Sequence, residues 1–177
     1  GLGDVYKRQT QDARAMAFIA PSVTPLSNVN PSLRVYEVDP ETYEVMDYEQ
    51  YYTQLYGVDK LNGTRPSWNL LYTARDAYAN FSASQAKGTY AAPVQLDDGV
   101  WPKGAPLNAS FWAALTDEME ARPELIEMHQ LYQGRNSPRS PACDTEECQK
   151  AKLCYMRSAS SNLGRHCPSG FGSVQSF

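Results

Sequence analysis

The chain has 177 residues, 42% of them hydrophobic, and a formal net charge of −4 from 16 basic and 20 acidic side chains. That length builds one substantial core or one and a half small ones, and the mild acidity excludes the basic footprint of a nucleic-acid-binding chain. The longest apolar run, residues 15–20, holds six residues, far short of the roughly 20 that a membrane-crossing helix needs.

Residues 1–9 (GLGDVYKRQ) show neither the apolar core of a signal peptide nor a strand or helix period, and they do not begin with Met. They read as a non-native, adapter-derived segment and are set aside from the fold. The run Ala-Met-Ala-Phe-Ile-Ala at 15–20, ended by Pro21 and Ser22, is predicted to be a strand buried on both faces. Residues 23–32 hold Pro25, Asn28, Asn30 and Pro31, which is loop chemistry. Residues 33–38 alternate, Pro40 sits where a type I turn wants it, and residues 43–49 alternate again, so a hairpin is predicted. From Val35 to Asp59 there are seven acidic residues, no basic ones and several tyrosines. This reads as a solvated sheet face rather than an aromatic binding face.

After Pro66 the period changes. Trp68, Leu71, Tyr72 and Tyr78 fall near helical spacing; Phe111, Trp112, Leu115 and Met119 do so after Asn108; Leu125, Met128 and Tyr132 follow Pro123 and stop at Gly134. Three helices are predicted. Residues 83–107, rich in Gly and Pro, read as a long surface loop. A fourth helix is predicted over residues 145–156, carrying Cys148 and Cys154.

The four cysteines, Cys143, Cys148, Cys154 and Cys167, all lie near the C-terminal end. Their gaps of four, five and twelve residues do not match zinc-knot spacing, and His166 adjoins Cys167 instead of standing at ligand distance. Disulfides fit better. Three connectivities are open, of which the sequential one closes the shortest loops. Paired cysteines imply an oxidising compartment. Three acceptor sequons, at Asn62, Asn80 and Asn108, point the same way; Asn108 has a competing reading as a helix N-cap. His129 and His166 are too few and too far apart for a dinuclear metal site and are read as structural or surface residues. No Gly-x-Ser-x-Gly elbow, phosphate-cradling loop or dinucleotide fingerprint is present.

Phe-Ile-Ala-Pro-Ser-Val at 18–23, Asn-Pro-Ser-Leu-Arg-Val-Tyr-Glu-Val-Asp at 30–39, Trp-Asn-Leu-Leu-Tyr-Thr-Ala-Arg at 68–75 and the four-cysteine tail follow one another in this order. Together they resemble the C-terminal portion of acid sphingomyelinase and the acid sphingomyelinase-like phosphodiesterases, which are calcineurin-like metallophosphoesterases. The resemblance implies an α+β fold: residues 10–60 as the last strands and hairpin of a catalytic β-sandwich, residues 61–177 as a helical, disulfide-stapled C-terminal domain. It also implies cysteines paired with their neighbours in sequence. The implied enzyme is a zinc-dependent phosphodiesterase, secreted or lysosomal, that cleaves sphingomyelin to ceramide and phosphocholine or cuts a related phosphodiester, through a metal-activated water.

The family's metal ligands come from Asp-x-His, Gly-Asp, Gly-Asn-His and Gly-His-x-His motifs, none of which occurs here. No catalytic or metal residue is therefore assigned, and none in the 21–31 loop is assigned to a site rim. The chain alone is expected not to catalyse; the phospholipid or other phosphodiester substrate and the zinc would be met by a catalytic domain outside it. The alternative is a non-catalytic, secreted, cysteine-stapled module that binds lipid or protein. The concentration of Trp101, Phe111 and Trp112 near the long loop leads to the further expectation that the helical domain helps hold the catalytic sandwich or approaches lipid substrate, with core packing an equally good reading of Phe111 and Trp112.

Overall fold

The computed structural model describes residues 15–25, 28–55, 66–81, 96–158 and 161–171. The fold is mixed α and β. A three-stranded antiparallel sheet in the order β1 (Ser32–Val38), β2 (Val45–Tyr52), β3 (Asn69–Thr73) is followed by α1 (Ala74–Tyr78), α2 (Ala109–Ala121), α3 (Glu124–Gln133), α4 (Glu146–Arg157) and α5 (Ser161–Gly164).

The predicted hairpin forms, with Tyr36 opposite Tyr48 and Arg34 opposite Gln50. Its turn is built by Asp39, whose carboxylate accepts from the backbone N–H of Glu41 and Thr42, both at 2.8 Å. Those bonds to the charged form hold the Asp39 carboxyl below its ordinary pKa, Thr42 contributing most. Asp39 N–H then donates to Glu44 C=O at 2.9 Å, with Tyr43 in the left-handed region at φ 58°.

The period of two separates the sheet's faces. Arg34, Tyr36, Tyr48, Gln50 and Tyr72 point inward beneath the helices, while register places Leu33, Tyr51 and Leu70 in one outward row and Val35, Glu49 and Thr73 in another. The acidic, tyrosine-rich stretch is therefore two-sided: its carboxylates are solvated as expected, but Tyr36 and Tyr48 belong to the interior.

Two expectations are overturned. Of the helix expected to carry Trp68, Leu71, Tyr72 and Tyr78, Leu71 and Tyr72 lie in β3, Trp68 just precedes it, and only Tyr78 is helical, in the short α1. Helical and strand spacings overlap over so few residues, and the long-range ladder to β2, with Tyr72 opposite Gln50, decides between them. Asp47 of β2 ends the strand by accepting from Arg75 N–H at 3.2 Å, giving α1 a cap that its own Thr73 side chain does not supply. The strand expected at residues 15–20 is irregular and mostly exposed, since no ladder partner lies beside it among the described residues. Only Phe18 turns inward, edge-on to Tyr36, Tyr48 and Trp112 at centroid distances of 5.6 to 6.0 Å.

The other helices lie as read. Asn108 caps α2, accepting from Ser110 and Phe111 N–H, and Phe111, Leu115 and Met119 form its buried stripe. Pro123 opens α3, which stops at Gly134 and turns through Arg135 and Asn136, both left-handed. Thr145 caps α4. The disulfides pair Cys143 with Cys148 and Cys154 with Cys167, and Arg157, its side chain 7% exposed, locks α4 onto α2 through Asp117 at 2.9 Å and Glu120 at 3.1 Å.

The described half of the expected surface loop, residues 96–107, is pinned rather than loose. Arg75 donates to the carbonyls of Met46, Pro102 and Ala105, and Leu107 N–H donates to Val45 C=O. Asp98 and Gly99, both at positive φ, make the tight turn of a short hairpin; a Cβ on Gly99 would meet the Phe81 carbonyl oxygen at 2.7 Å.

Candidate functional site

The densest meeting of polar and aromatic groups lies between the inner sheet face and the helices. The Arg34 guanidinium sits 4.1 Å from the Tyr48 ring centroid and donates to Gln50 Oε1 at 2.7 Å. It also reaches the Tyr36 and Tyr72 hydroxyls, each at 3.4 Å. Tyr72 stacks on Tyr132 of α3 at 4.1 Å between centroids, and its hydroxyl lies 3.2 Å from that of Tyr48. No carboxylate accompanies the cation in these contacts; ring quadrupoles and hydroxyl oxygens stabilise it instead. Burial pushes the hydroxyls of Tyr48, Tyr72 and Tyr78 above their ordinary pKa, so the cluster is one positive charge among neutral phenols.

On the helical side, Tyr78 OH lies 3.3 Å from His129 Nδ1. Burial, then the positive charges of Lys152 and Arg34, lower His129 to about 4, so its ring is neutral at physiological pH. Lys152 of α4 is buried and donates to Gln133 Oε1 at 3.0 Å; burial lowers it to about 8. A charged arginine, neutral phenols, a neutral imidazole and an ammonium hold the layers together. Their one hydroxyl–imidazole pair, Tyr78 with His129, lies in the core, where Tyr78 is 2% exposed.

His129 thus has the structural role expected of it, and His166 lies exposed beside Cys167. Among the described residues no three His, Cys, Asp or Glu side chains are grouped to hold a metal ion. The two histidines stand on separate elements, so the described residues do not fit a zinc pair and no catalytic step is derived from them.

Trp101 is corrected as a lipid contact, and of the two readings of Phe111 and Trp112 the structure favours core packing. Trp101 is 3% exposed, packs on Phe111 at 5.2 Å between centroids and donates its indole N–H to Pro106 C=O. Phe111 is buried, and half-buried Trp112 donates to Leu107 C=O at 2.9 Å. An indole whose N–H is satisfied inside a core is not available to a membrane surface.

The 21–31 loop is tied into the fold by Asn30 and Arg135. Asn30, fully buried, donates to Gln54 Oε1 and Arg135 C=O and accepts from Leu55 N–H. Arg135 donates to the carbonyls of Ser22 at 2.7 Å and Asn30 at 3.0 Å. Nothing in the local sequence of Arg135 announces this. The hairpin turn at Asp98 and Gly99, read above only as part of a surface loop, carries an Asp-Gly dipeptide in its sequence. Of the sequons, Asn62 lies outside the described residues, Asn80 is exposed, and Asn108 is the half-buried cap of α2.

No protein-family model matches the chain. Among curated proteins it is 26% identical over 155 residues to sphingomyelin phosphodiesterase 1 of Caenorhabditis elegans, an alignment that covers 87% of this chain and 22% of the nematode protein. It is 29% identical over 157 residues to human sphingomyelin phosphodiesterase, covering 86% of this chain and 21% of that protein. A bovine cyclic GMP-AMP phosphodiesterase is 37% identical over 85 residues, covering 45% of this chain and 18% of that protein. The chain spans about a fifth of the length of the sphingomyelin phosphodiesterases of nematode, human and cattle that it matches. The resemblance carried by the Ala-Pro-Ser, Arg-Val-Tyr and cysteine residues therefore holds: over most of its own length, this chain is similar in sequence to sphingomyelin phosphodiesterases.

Proposed function

We propose that this chain is the C-terminal part of a secreted or lysosomal hydrolase of the sphingomyelin phosphodiesterase type. Its substrate is sphingomyelin or a related phosphodiester, and its metal site, a zinc site on this reading, is built by polypeptide outside the chain. The observation that carries the reading is the similarity along 86% of the chain to the human protein. The two disulfides favour an oxidising compartment.

The sheet supports the same reading. Its inner face is covered by helices, while the outer rows leave Val35 54% and Leu70 51% exposed beside Leu33 and Tyr51. The exposed apolar side chains Val35 and Leu70 stand among Glu37 and Glu49 on that face, a mixed surface that the remainder of a catalytic domain would cover on this reading.

The test is to extend the coding sequence upstream and assay the longer polypeptide and this chain side by side. Both receive sphingomyelin and a soluble phosphodiester, with added zinc and with a chelator. Hydrolysis by the longer protein alone, abolished by the chelator, is the expected result. Turnover by this chain alone would overturn the assignment of the metal site to a missing part.

A further inference from the structure

We propose that Tyr43, at the tip of the β1–β2 hairpin, is a site of tyrosine O-sulfation. The proposal rests on the secretory reading above, because the transferases that carry out this reaction reside in that pathway. They act late in it, on chains that have already folded, so the folded geometry decides which tyrosine is offered.

The acidic stretch holds Tyr36, Tyr43, Tyr48 and Tyr51, and in sequence Tyr48, between Asp47 and Glu49, has the closest acidic flanks. The structure reorders them. Tyr36 and Tyr48 face the interior, where the Tyr48 hydroxyl meets that of Tyr72. The Tyr51 hydroxyl donates to Glu49 Oε2, and that of Tyr52 accepts from Asn136 at 2.9 Å. Tyr43 is 80% exposed, and among the described residues its hydroxyl makes no hydrogen bond and its ring no ring contact.

Folding does not account for a tyrosine at this position. Its backbone is left-handed, at φ 58°, with its N–H donating to Asp39 C=O at 2.9 Å. That conformation disfavours a bulky side chain and suits Asn or Gly. An aromatic ring placed there without burial points to a role outside the core.

The surroundings suit a transferase that reads acidic substrates with basic side chains. Glu41 and Glu44 stand close on either side of Tyr43 in sequence and are exposed, and Asp39 builds the turn. The tip projects beyond Val38 and Val45, which close the strand ladder. A second protein therefore reaches Tyr43 without opening the sheet.

In the transfer, Tyr43 Oη attacks the sulfur of a nucleotide phosphosulfate. An O–S bond forms as the bond from sulfur to the phosphate oxygen breaks. The nucleotide leaves as its phosphate, and the phenolic proton passes to a base of the transferase. The product is a sulfate ester of fixed negative charge, whose repulsion by Asp39, Glu41 and Glu44 is screened by solvent at the exposed tip.

The experiment incubates the purified full chain, its disulfides intact, with a Golgi tyrosine sulfotransferase and the nucleotide phosphosulfate, and locates sulfate by fragmentation mass spectrometry. Sulfate on Tyr43 and none on Tyr36, Tyr48 or Tyr51 is the expected result. Tyr43→Phe removes it and Tyr51→Phe leaves it. Glu41→Gln combined with Glu44→Gln, which keeps the acceptor, lowers incorporation several-fold. An unmodified Tyr43, equal modification of Tyr48 or Tyr51, or incorporation unmoved by the two Glu substitutions overturns the proposal. Because enzyme, donor and folded chain are mixed directly, that failure is distinct from failure of the secretory reading, which is judged by where the polypeptide with its own N-terminal sequence resides.

Discussion

Replacing His129 by Asn tests how the helical layer tolerates acid. In the folded chain His129 is held neutral, lowered from 6.5 to about 4 by burial and by the cations Lys152 and Arg34. A depressed folded pKa means that the fold prefers the unprotonated ring. The associated stability is fully present above pH 6.5, drains away as pH falls toward about 4, and is gone below that value. With about 1.36 kcal/mol per pKa unit, the loss relative to neutral pH is about 1.4 kcal/mol at pH 5.5 and about 2.5 kcal/mol at pH 4.5. These are upper bounds because the ring keeps some contact with solvent. Asn can preserve the bond to Tyr78 OH without titrating. Urea denaturation followed by tryptophan fluorescence at pH 7.5, 5.5 and 4.5 should show the His129→Asn chain losing less stability than the parent, by about 1 kcal/mol or more at the lowest pH. Lys152→Met serves as a second arm: removing a buried ammonium should narrow the parent's acid loss by raising the His129 pKa. If parent and His129→Asn chains decline in parallel across the three pH values, the neutral-imidazole reasoning is wrong.

Opening the Cys154–Cys167 bridge by a double Ala substitution should cost about 3 kcal/mol, and opening Cys143–Cys148 about 2 kcal/mol, from loop-closure entropy alone; melting of the two variants checks the order. Arg34→Met should destabilise by about 2 to 3 kcal/mol, since Gln50, Tyr36 and Tyr72 lose their shared donor and the Tyr48 ring loses its cation. Arg34→Lys should not restore the tyrosine near-ultraviolet circular dichroism, because a single ammonium cannot reach Gln50 and the hydroxyls at once. In the longer polypeptide, Trp101→Ala should depress action on vesicles and on a soluble phosphodiester together, by unfolding a core that includes Phe81 and Phe111, at a cost of about 3 to 5 kcal/mol. A loss confined to vesicles would restore Trp101 as a membrane contact.

The elements that the sequence made legible are those whose signals are local. Asp39 and Pro40 announce the hairpin turn, Asn108 and Thr145 announce helix starts, and Gly134 announces a stop. The observed cysteine pairing is the one of three open connectivities that closes the shortest loops, and the one the resemblance implies. What was misread depends on partners distant in sequence. β3 is a strand because β2 lies beside it, and residues 15–20 are not one because no strand among the described residues pairs with them. The inward turn of Tyr36 and Tyr48 likewise follows from helices packed above them. Asn30, Arg75 and Arg135 bind backbone carbonyls or N–H groups across the fold, a role that no spacing rule encodes. The candidate site was legible mainly by subtraction: two isolated histidines and no metal motif, with the aromatic enclosure of Arg34 visible only after folding.

The placement of the disulfides has a mechanical consequence. Each bridge has one end on α4, at Cys148 and Cys154. A pulling force that enters at Cys143 crosses to Cys148, runs along the helix to Cys154 and crosses again to Cys167. Residues 144–147 and 155–166 lie off that load path and cannot be drawn out while the bridges are intact. Sixteen residues of slack, roughly 55 Å of extended chain, are thereby withheld, and a stretch of only seven, residues 148–154, bears the tension.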